Sequence, residues 1–326
     1  MKATTENDVR VLVVHDRPEV HIDIIEKRFP DLSIALCRDR DALEDTLARF
    51  SPEAVFSFKF NVSEALPHEP IFACRSVRWV HVAGAGIDHL CPWDPARITL
   101  TNSAGVLSPY MAEYVMSAML MANFGFPRYR RQQAKRQWLK HPWRPIARKT
   151  VLVAGLGRTG ARVAAAAKQN GMNVLGVRTS NTPAGNVDKL YPPGELGDAA
   201  AKADFVCLHL PLTGETRGLI NAEIFGRMKP TAWLINTARG PVVNEPDLVA
   251  ALKEGRIAGA ILDVFGTEPL PGDSPLWALE NAWITPHVAD SIADWERPMC
   301  ELFCDNLARF IDGRPLENVV DSARGY

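Results

Sequence analysis

The chain has 326 residues, 47% of them hydrophobic and 23% charged. That composition excludes a largely disordered polypeptide, and the length suits two domains, each with its own core. Lysine plus arginine number 37 against 38 aspartate plus glutamate, a formal net charge of -1, which sets nucleic acid aside as a partner because phosphate-binding surfaces usually carry a basic excess.

No apolar run approaches the roughly 18 residues needed to span a bilayer, so no membrane partner is expected. Met1–Arg10 is polar, with no apolar signal core behind it. Six cysteines are scattered through the chain, none in a Cys-x-x-Cys pair, and Cys300 and Cys304 stand at helical i, i+4 spacing. They are expected to be buried free thiols of a cytoplasmic protein, with no metal site.

Taken in order, Val9–Val14, Leu32–Leu36, Ala54–Phe58 and Val77–Val82 are short apolar runs that predict buried strands. Helix-like stretches at 17–28 and 40–50 separate the first three. A long helical pair is predicted over about 108–140. A second series then begins, with strands at Thr150–Ala154, Asn173–Val177, Phe205–Leu210, Ala232–Asn236, Gly259–Val264 and Ala282–Thr285. Its helices fall near 158–170, 222–228 and 245–254. The segment 181–198, rich in glycine, proline and asparagine, predicts surface loop. A last helix is predicted over about 291–312, ending before Gly313 and Pro315. Strand–helix alternation of this kind implies α/β units built on parallel sheets. One covers 1–102, and 288–326 is expected to return to it; the other covers 103–287.

Gly155-Leu156-Gly157-Arg158-Thr159-Gly160 fits G-x-G-x-x-G. The bare string is weak evidence, but here it directly follows a predicted strand and opens an alanine-rich helix. In a Rossmann unit the first glycine allows the tight turn, the second lets the backbone approach a pyrophosphate, and the third lets helix and strand pack closely. The helix N-terminus adds N–H groups and a positive dipole end. The bland alternative is a glycine-rich turn with no ligand. The next strand runs into Arg178-Thr179-Ser180, where NAD enzymes place an acid; the next acid in the chain is Asp188. A guanidinium beside two hydroxyls suits a 2′-phosphate, so NADP(H) is expected over NAD(H). The competing role for Arg178 is stacking on adenine, and with NAD(H) preferred Asp188 would be the first candidate ribose ligand.

Three further strand ends carry chemistry. Asn236-Thr237-Ala238-Arg239-Gly240 closes one, Leu262-Asp263-Val264-Phe265 followed by Glu268-Pro269 closes the next, and Thr285-Pro286-His287 closes the last. In an open parallel sheet ligands bind beyond the carboxyl ends of the strands. Singly, an arginine after a strand is usually solvated and a histidine usually structural. Together Arg239, Glu268 and His287 supply a cation for an anionic substrate, a carboxylate and a proton donor.

These motifs, with Ala83-Gly84-Ala85-Gly86-Ile87-Asp88-His89-Leu90 and Leu208-His209-Leu210-Pro211-Leu212-Thr213, make the chain resemble the D-isomer-specific 2-hydroxyacid dehydrogenase family over nearly its whole length. Within it the chain is most similar to NADPH-preferring glyoxylate/hydroxypyruvate reductases, partly through Pro275-Leu276-Trp277. The resemblance implies a Rossmann coenzyme domain inserted in a flavodoxin-like substrate domain, a homodimer, and Arg239, Glu268 and His287 as the catalytic three. It also implies that the backbone at Ala85 and Gly86 holds the carboxylate of a short 2-keto acid, with Arg239 gripping carboxylate and carbonyl. Thr237, Ala238 and Asp263 then belong to the nicotinamide side of the pocket. Leu210 and Pro211 line the cofactor cleft, and Gly155, Gly157, Arg158, Thr159, Gly160, Arg178, Thr179 and Ser180 hold the other end.

Many members carry a small residue three positions after the histidine, where this chain has Asp290. Two readings stand: a carboxylate that narrows the substrate range, or a cap for the helix expected to start there, which is favoured. A different class also stays open, a dinucleotide-sensing protein of the family's corepressor branch with little turnover. Turnover of NADPH with 2-keto acids separates the two.

Overall fold

The computed structural model describes residues 9–58, 68–87, 90, 92–180 and 182–323. Residues 1–8, Asp88 and His89 of the glycine-turn motif, and Cys91 lie outside them. In chain order the first elements are β1 (Arg10–Val14), α1 (Glu19–Arg28), β2 (Ser33–Cys37), α2 (Leu43–Phe50), β3 (Ala54–Ser57), α3 (His68–Ala73), β4 (Trp79–Val82) and β5 (Thr99–Asn102). Then come α4 (Ser108–Phe124), α5 (Phe126–Ala134), β6 (Thr150–Ala154), α6 (Arg158–Gln169), β7 (Asn173–Val177), β8 (Lys189–Tyr191) and α7 (Leu196–Ala200). The rest are β9 (Phe205–Leu208), α8 (Ala222–Arg227), β10 (Trp233–Asn236), α9 (Glu245–Lys253), β11 (Gly259–Leu262), β12 (Ala282–Ile284) and α10 (Glu296–Ile311). The chain divides into two compact units, 1–106 with 293–326, and 107–292.

The first unit holds a parallel five-stranded sheet in the order β2-β1-β3-β4-β5, the doubly wound order of flavodoxin-like folds. Phe303 of α10 stacks on Phe56 of β3 at 4.3 Å and on Trp79 of β4 at 5.1 Å, and all three are fully buried. Offset ring pairs at such distances add about 0.5–1.5 kcal/mol each beyond area burial. The chain after α10 runs antiparallel along β5, where Val320 N donates to Leu100 O and Asn102 N to Asn318 O.

The second unit holds a parallel seven-stranded sheet, β12-β11-β10-β9-β6-β7-β8. Numbered within the unit that is 7-6-5-4-1-2-3, the Rossmann order with a seventh strand. Its central strands read as continuous apolar runs because both faces are covered. Along β6, Val151 and Val153 join one core with Met119 of α4 and Val163 of α6, while Leu152 and Ala154 join another with Phe225 of α8 and Leu248 of α9. This two-residue alternation carries the doubly wound architecture. Truncating fully buried Leu152 to alanine removes contacts worth about 2–5 kcal/mol.

Four expectations need correction. The segment 181–198 is not all loop: β8 and α7 lie in it, and Tyr191 is buried under the cations of Lys189 and Lys202. The second helix of the 108–140 pair stops at Ala134, and residues 137–145 form no helix. The last helix begins at Glu296 and has Trp295 at its N-cap without a side-chain cap, so Asp290 does not cap it. Of the five described cysteines, all free, Cys74 is only half-buried.

Candidate active site

Every strand of the second sheet is parallel to its neighbours, so the segments after β6, β7, β9, β10, β11 and β12 leave from one edge. Gly155, after β6, has φ +94°, a left-handed conformation that a side chain resists, and a Cβ there would collide with the His209 backbone after β9. At Gly160 a Cβ would run into the Gly155 carbonyl, so that glycine lets α6 start tight against β6. Above Gly157 a Cβ would meet nothing within 4 Å, and no side chain caps α6. The turn is thus a backbone cradle with open space at its middle glycine and a helix N-terminus behind it, which fits a dinucleotide pyrophosphate. Two buried polar atoms without a hydrogen-bond partner lie beyond the same edge, Thr237 Oγ1 after β10 and His209 Nε2 after β9. Such atoms are costly unless a ligand satisfies them. Burial lowers the His209 pKa to about 4, so that ring is neutral.

Arg178 follows β7 directly, half-buried, with Thr179 exposed and the Ser180 hydroxyl donating to Thr182 Oγ1 at 2.8 Å. Asp188 stands at the opposite end of β7. Its carboxylate accepts from Val174 N at 2.7 Å and Lys168 Nζ at 2.8 Å, and the lysine first and the backbone bond second hold its pKa below the usual range. Leu210 and Pro211, both half-buried, follow β9, and Pro211 O accepts from Thr216 Oγ1 at 2.6 Å. Thr159 Oγ1 lies 2.8 Å from Ser108 Oγ.

Arg239 follows β10, half-buried, its Nη1 donating to Ala238 O at 2.9 Å and its own carbonyl accepting from Asn236 Nδ2 at 3.1 Å. A Cβ on Gly240 would run into the Phe265 backbone, so the segment after β10 lies close against the one after β11. From that second segment Glu268 reaches His287: Oε2 lies 2.7 Å from Nδ1, and Oε1 accepts from Phe265 N at 2.9 Å. An ionised carboxylate only accepts, so Nδ1 carries the proton and Nε2 is the atom left to exchange one with a substrate. The bond to Glu268 raises the His287 pKa, burial opposes it, and the charges of Glu268, Asp290 and Asp263 add to the rise. For Glu268 burial pulls upward, but the bonds from His287 and Phe265 N and the charges of His287 and Arg239 together hold it below the usual range.

Asp263, 1% exposed, sits directly after β11. Its Oδ1 accepts from Thr285 Oγ1 at 2.6 Å and Val288 N at 2.9 Å, and its Oδ2 from Ala289 N at 2.9 Å. Thr285 Oγ1 also lies 2.6 Å from the hydroxyl of Tyr114 in α4. The sequence carries no sign that these two hydroxyls meet. Thr285 stands in a motif, but Tyr114 is one of several large residues on a mostly apolar helix.

In the first unit Ala85 is exposed and Gly86 half-buried, in the turn after β4. Asn102 at the end of β5 donates Nδ2–H to Ala85 O at 2.8 Å, and Ser103 N donates to Gly84 O at 3.2 Å. This clamp was also invisible in the sequence, where Asn102 reads as a polar strand end. Among the described residues no cluster of His, Cys, Asp and Glu is arranged to hold a metal ion, and no helix is long and apolar enough to cross a membrane.

Residues 116–289 match the family described as D-isomer specific 2-hydroxyacid dehydrogenase, NAD binding domain. The chain belongs to the D-isomer specific 2-hydroxyacid dehydrogenase family. It is 36% identical to a glyoxylate reductase of Thermofilum pendens over 77% of both chains. Two solved structures share its whole fold. A D-isomer specific 2-hydroxyacid dehydrogenase from Xanthobacter autotrophicus Py2, in complex with NADPH and MES, superposes with a TM-score of 0.86 at 32% identity, covering 98% of this chain and 100% of that one. An NADPH-dependent glyoxylate/hydroxypyruvate reductase from Sinorhizobium meliloti, in complex with NADP and sulfate, gives 0.85 at 29% identity, again with 98% and 100% covered. This dehydrogenase uses a nicotinamide dinucleotide to reduce a 2-keto acid.

Proposed function

We propose that this dehydrogenase reduces a short 2-keto acid of the glyoxylate or hydroxypyruvate type to the D-2-hydroxy acid, with NADPH preferred over NADH. The observation that carries the reading is the 2.7 Å bond between Glu268 and His287, which favours the charged imidazolium. Backbone N–H groups of the Ala85–Gly86 turn bind the substrate carboxylate, and glycine there allows close approach. Arg239 contacts carboxylate and carbonyl oxygen and steadies the negative charge that grows on that oxygen. When bound, the dihydronicotinamide supplies hydride to the keto carbon. His287 gives its Nε2 proton to the forming alkoxide, and Glu268 holds the ring charged until it does. On the cofactor side, Gly155, Gly157, Arg158, Thr159 and Gly160 cradle the pyrophosphate, Leu210 and Pro211 line the cleft, and Thr237, Ala238 and Asp263 face the nicotinamide.

The NADPH preference rests on Arg178, with Thr179 and Ser180 as added donors to the 2′-phosphate. The engagement of Asp188 at the far end of β7 supports it, since that removes the nearest acid from the ribose position. A hydrogen bond to a charged group is worth about 1.5–3 kcal/mol, so Arg178→Ala is expected to lower kcat/KM for NADPH about ten- to a hundredfold. NADH use stays within about a few-fold, and Arg178→Asp adds repulsion. Equal loss with both cofactors in Arg178→Ala would assign Arg178 to adenine stacking instead.

The proposed partner is a second copy of the chain. Met121, Phe126, Trp143 and Trp138 leave large apolar surface exposed over 121–143, Trp138 at 89%, more than an isolated surface usually shows. Free cysteines suit the reducing cytoplasm proposed as its compartment. Assay of NADPH oxidation with a panel of 2-keto acids tests the whole reading. Tight NADPH binding with no turnover on any of them would return the chain to the dinucleotide-sensing class.

A further inference from the structure

His287 has φ +53°, a left-handed backbone that residues with side chains seldom adopt. The His287 N–H is shared between the Asp263 carbonyl and, at 3.1 Å, the Thr285 carbonyl, and Asp263 adds further bonds. Its backbone carbonyl accepts from His287 N at 2.9 Å, while its carboxylate accepts from the N–H groups of Val288 and Ala289, both at 2.9 Å. One buried residue therefore grips the chain at the histidine and at the two residues after it. Thr285, two residues before, donates to the same carboxylate at 2.6 Å.

A hydroxyl has one proton. Thr285 commits its own to Asp263 Oδ1, so in the 2.6 Å contact between Thr285 and Tyr114 the tyrosine is the donor. The order is fixed: Tyr114 O–H to Thr285 Oγ1, Thr285 O–H to Asp263 Oδ1, Asp263 to the turn that bears His287. Burial raises the Tyr114 pKa, so the phenol keeps its proton and remains a donor over the neutral range. Glu268 secures only one ring nitrogen of His287. Its contact sets the charge of the ring and leaves the backbone that aims Nε2 to the Asp263 turn.

We propose that Tyr114 is a positioning residue for His287, acting through the hydroxyl of Thr285 and the carboxylate of Asp263. This rests on the reading of His287 as the proton donor. The simpler role, a tether of α4 to the sheet, predicts an effect on melting alone. A misplacement of the acid by about 1 Å can cost a hundredfold in rate, so positioning predicts an effect on turnover.

The test uses the full chain with NADPH and the best 2-keto acid of the panel, and three substitutions. Tyr114→Phe keeps the ring and removes one proton; its kcat is expected to fall about two- to tenfold, the scale of one net hydrogen bond. Thr285→Val keeps the shape and removes both bonds, one of them to a charged group; kcat falls about ten- to a hundredfold. Thr285→Ser restores the hydroxyl and returns kcat to within about twofold. The charged and titratable groups around His287 are Glu268, Asp263 and Asp290, with Arg239 beside Glu268. Displacing the Asp263 turn changes the distances from these groups to the ring, so the His287 imidazole, followed by nuclear magnetic resonance in the NADP-bound protein, titrates at a shifted pH in Thr285→Val. Wild-type kcat and an unmoved His287 titration in both Tyr114→Phe and Thr285→Val would overturn the proposal, as would a loss that Thr285→Ser does not recover. If Thr285→Val fails to fold, Tyr114→Phe decides alone. Failure of the function reading looks different: His287→Ala would retain turnover.

Discussion

Arg239 and His287 share one carboxylate neighbour, Glu268, but are asked for different work. His287 is bonded to it at 2.7 Å, whereas Arg239 acts on it through charge. The arginine's planar fork is what lets one side chain meet both a carboxylate and a carbonyl oxygen. Arg239→Lys keeps the charge and loses the fork, so steady-state kinetics should show KM for the keto acid raised and kcat lowered, with NADPH affinity unchanged. A defect confined to NADPH affinity would move Arg239 to the cofactor site. Residue types at strand ends brought these groups forward in the sequence, and the structure puts Glu268 and His287 in contact. Asp290 was not legible, because its meaning depended on where a helix begins. With α10 starting at Glu296 the carboxylate is left to act on His287, whose pKa it helps to raise. Tyr114 and Asn102 escaped for a related reason: each works through a contact with a distant segment, and no local spacing encodes that.

The turn between β6 and α6 shows an element whose sequence and shape agree. Gly155 combines a positive φ with a backbone contact that leaves no room for a methyl group. Gly155→Ala is therefore expected to cost about 1–3 kcal/mol of stability from backbone strain, with further loss from the collision with His209. Thermal melting and NADPH titration check it, and a variant that melts and binds like the wild type would contradict the cradle. Strands with strong apolar runs were legible to within a residue or two, as at β6 and β7, because burial on both faces leaves a plain signal. Four short elements were not, among them the five-residue α7. β5 is Thr99–Asn102, three of its four residues polar, and its buried Thr101 and Asn102 are accommodated by hydrogen bonds that composition does not reveal. β8 has three residues and a lysine at its start, too short for any period, and α3 has six, with Pro70 inside.

At the scale of the whole molecule, strand–helix alternation predicted two parallel α/β sheets, and the observed strand orders are those of flavodoxin-like and Rossmann folds. Alternation limits topology strongly because crossovers between parallel strands are right-handed and short connections join neighbours. It says nothing of the surface. The exposed aromatic residues over 121–143 lie in and just after a stretch expected to be helical to about 140, and the exposure of Trp138 and Trp143 emerges only once α5 is seen to stop at Ala134. Sedimentation is expected to give twice the chain mass, and replacing Phe126 and Trp143 by serine to shift it toward the monomer; a monomeric wild type would remove the second copy as partner. The central claim is that Glu268 keeps His287 charged so that it can protonate the product oxygen. It is tested most directly by the pH profile of kcat for 2-keto acid reduction in the wild type, Glu268→Gln and His287→Ala. The raised His287 pKa means that the acid is present below it and lost above it, so wild-type kcat falls as pH rises through that value. Glu268→Gln moves the falling limb to lower pH, and His287→Ala costs about 10²–10⁴ in rate and abolishes the limb. A limb that stays in place in Glu268→Gln, or wild-type turnover from a folded, NADPH-binding His287→Ala, would contradict the account.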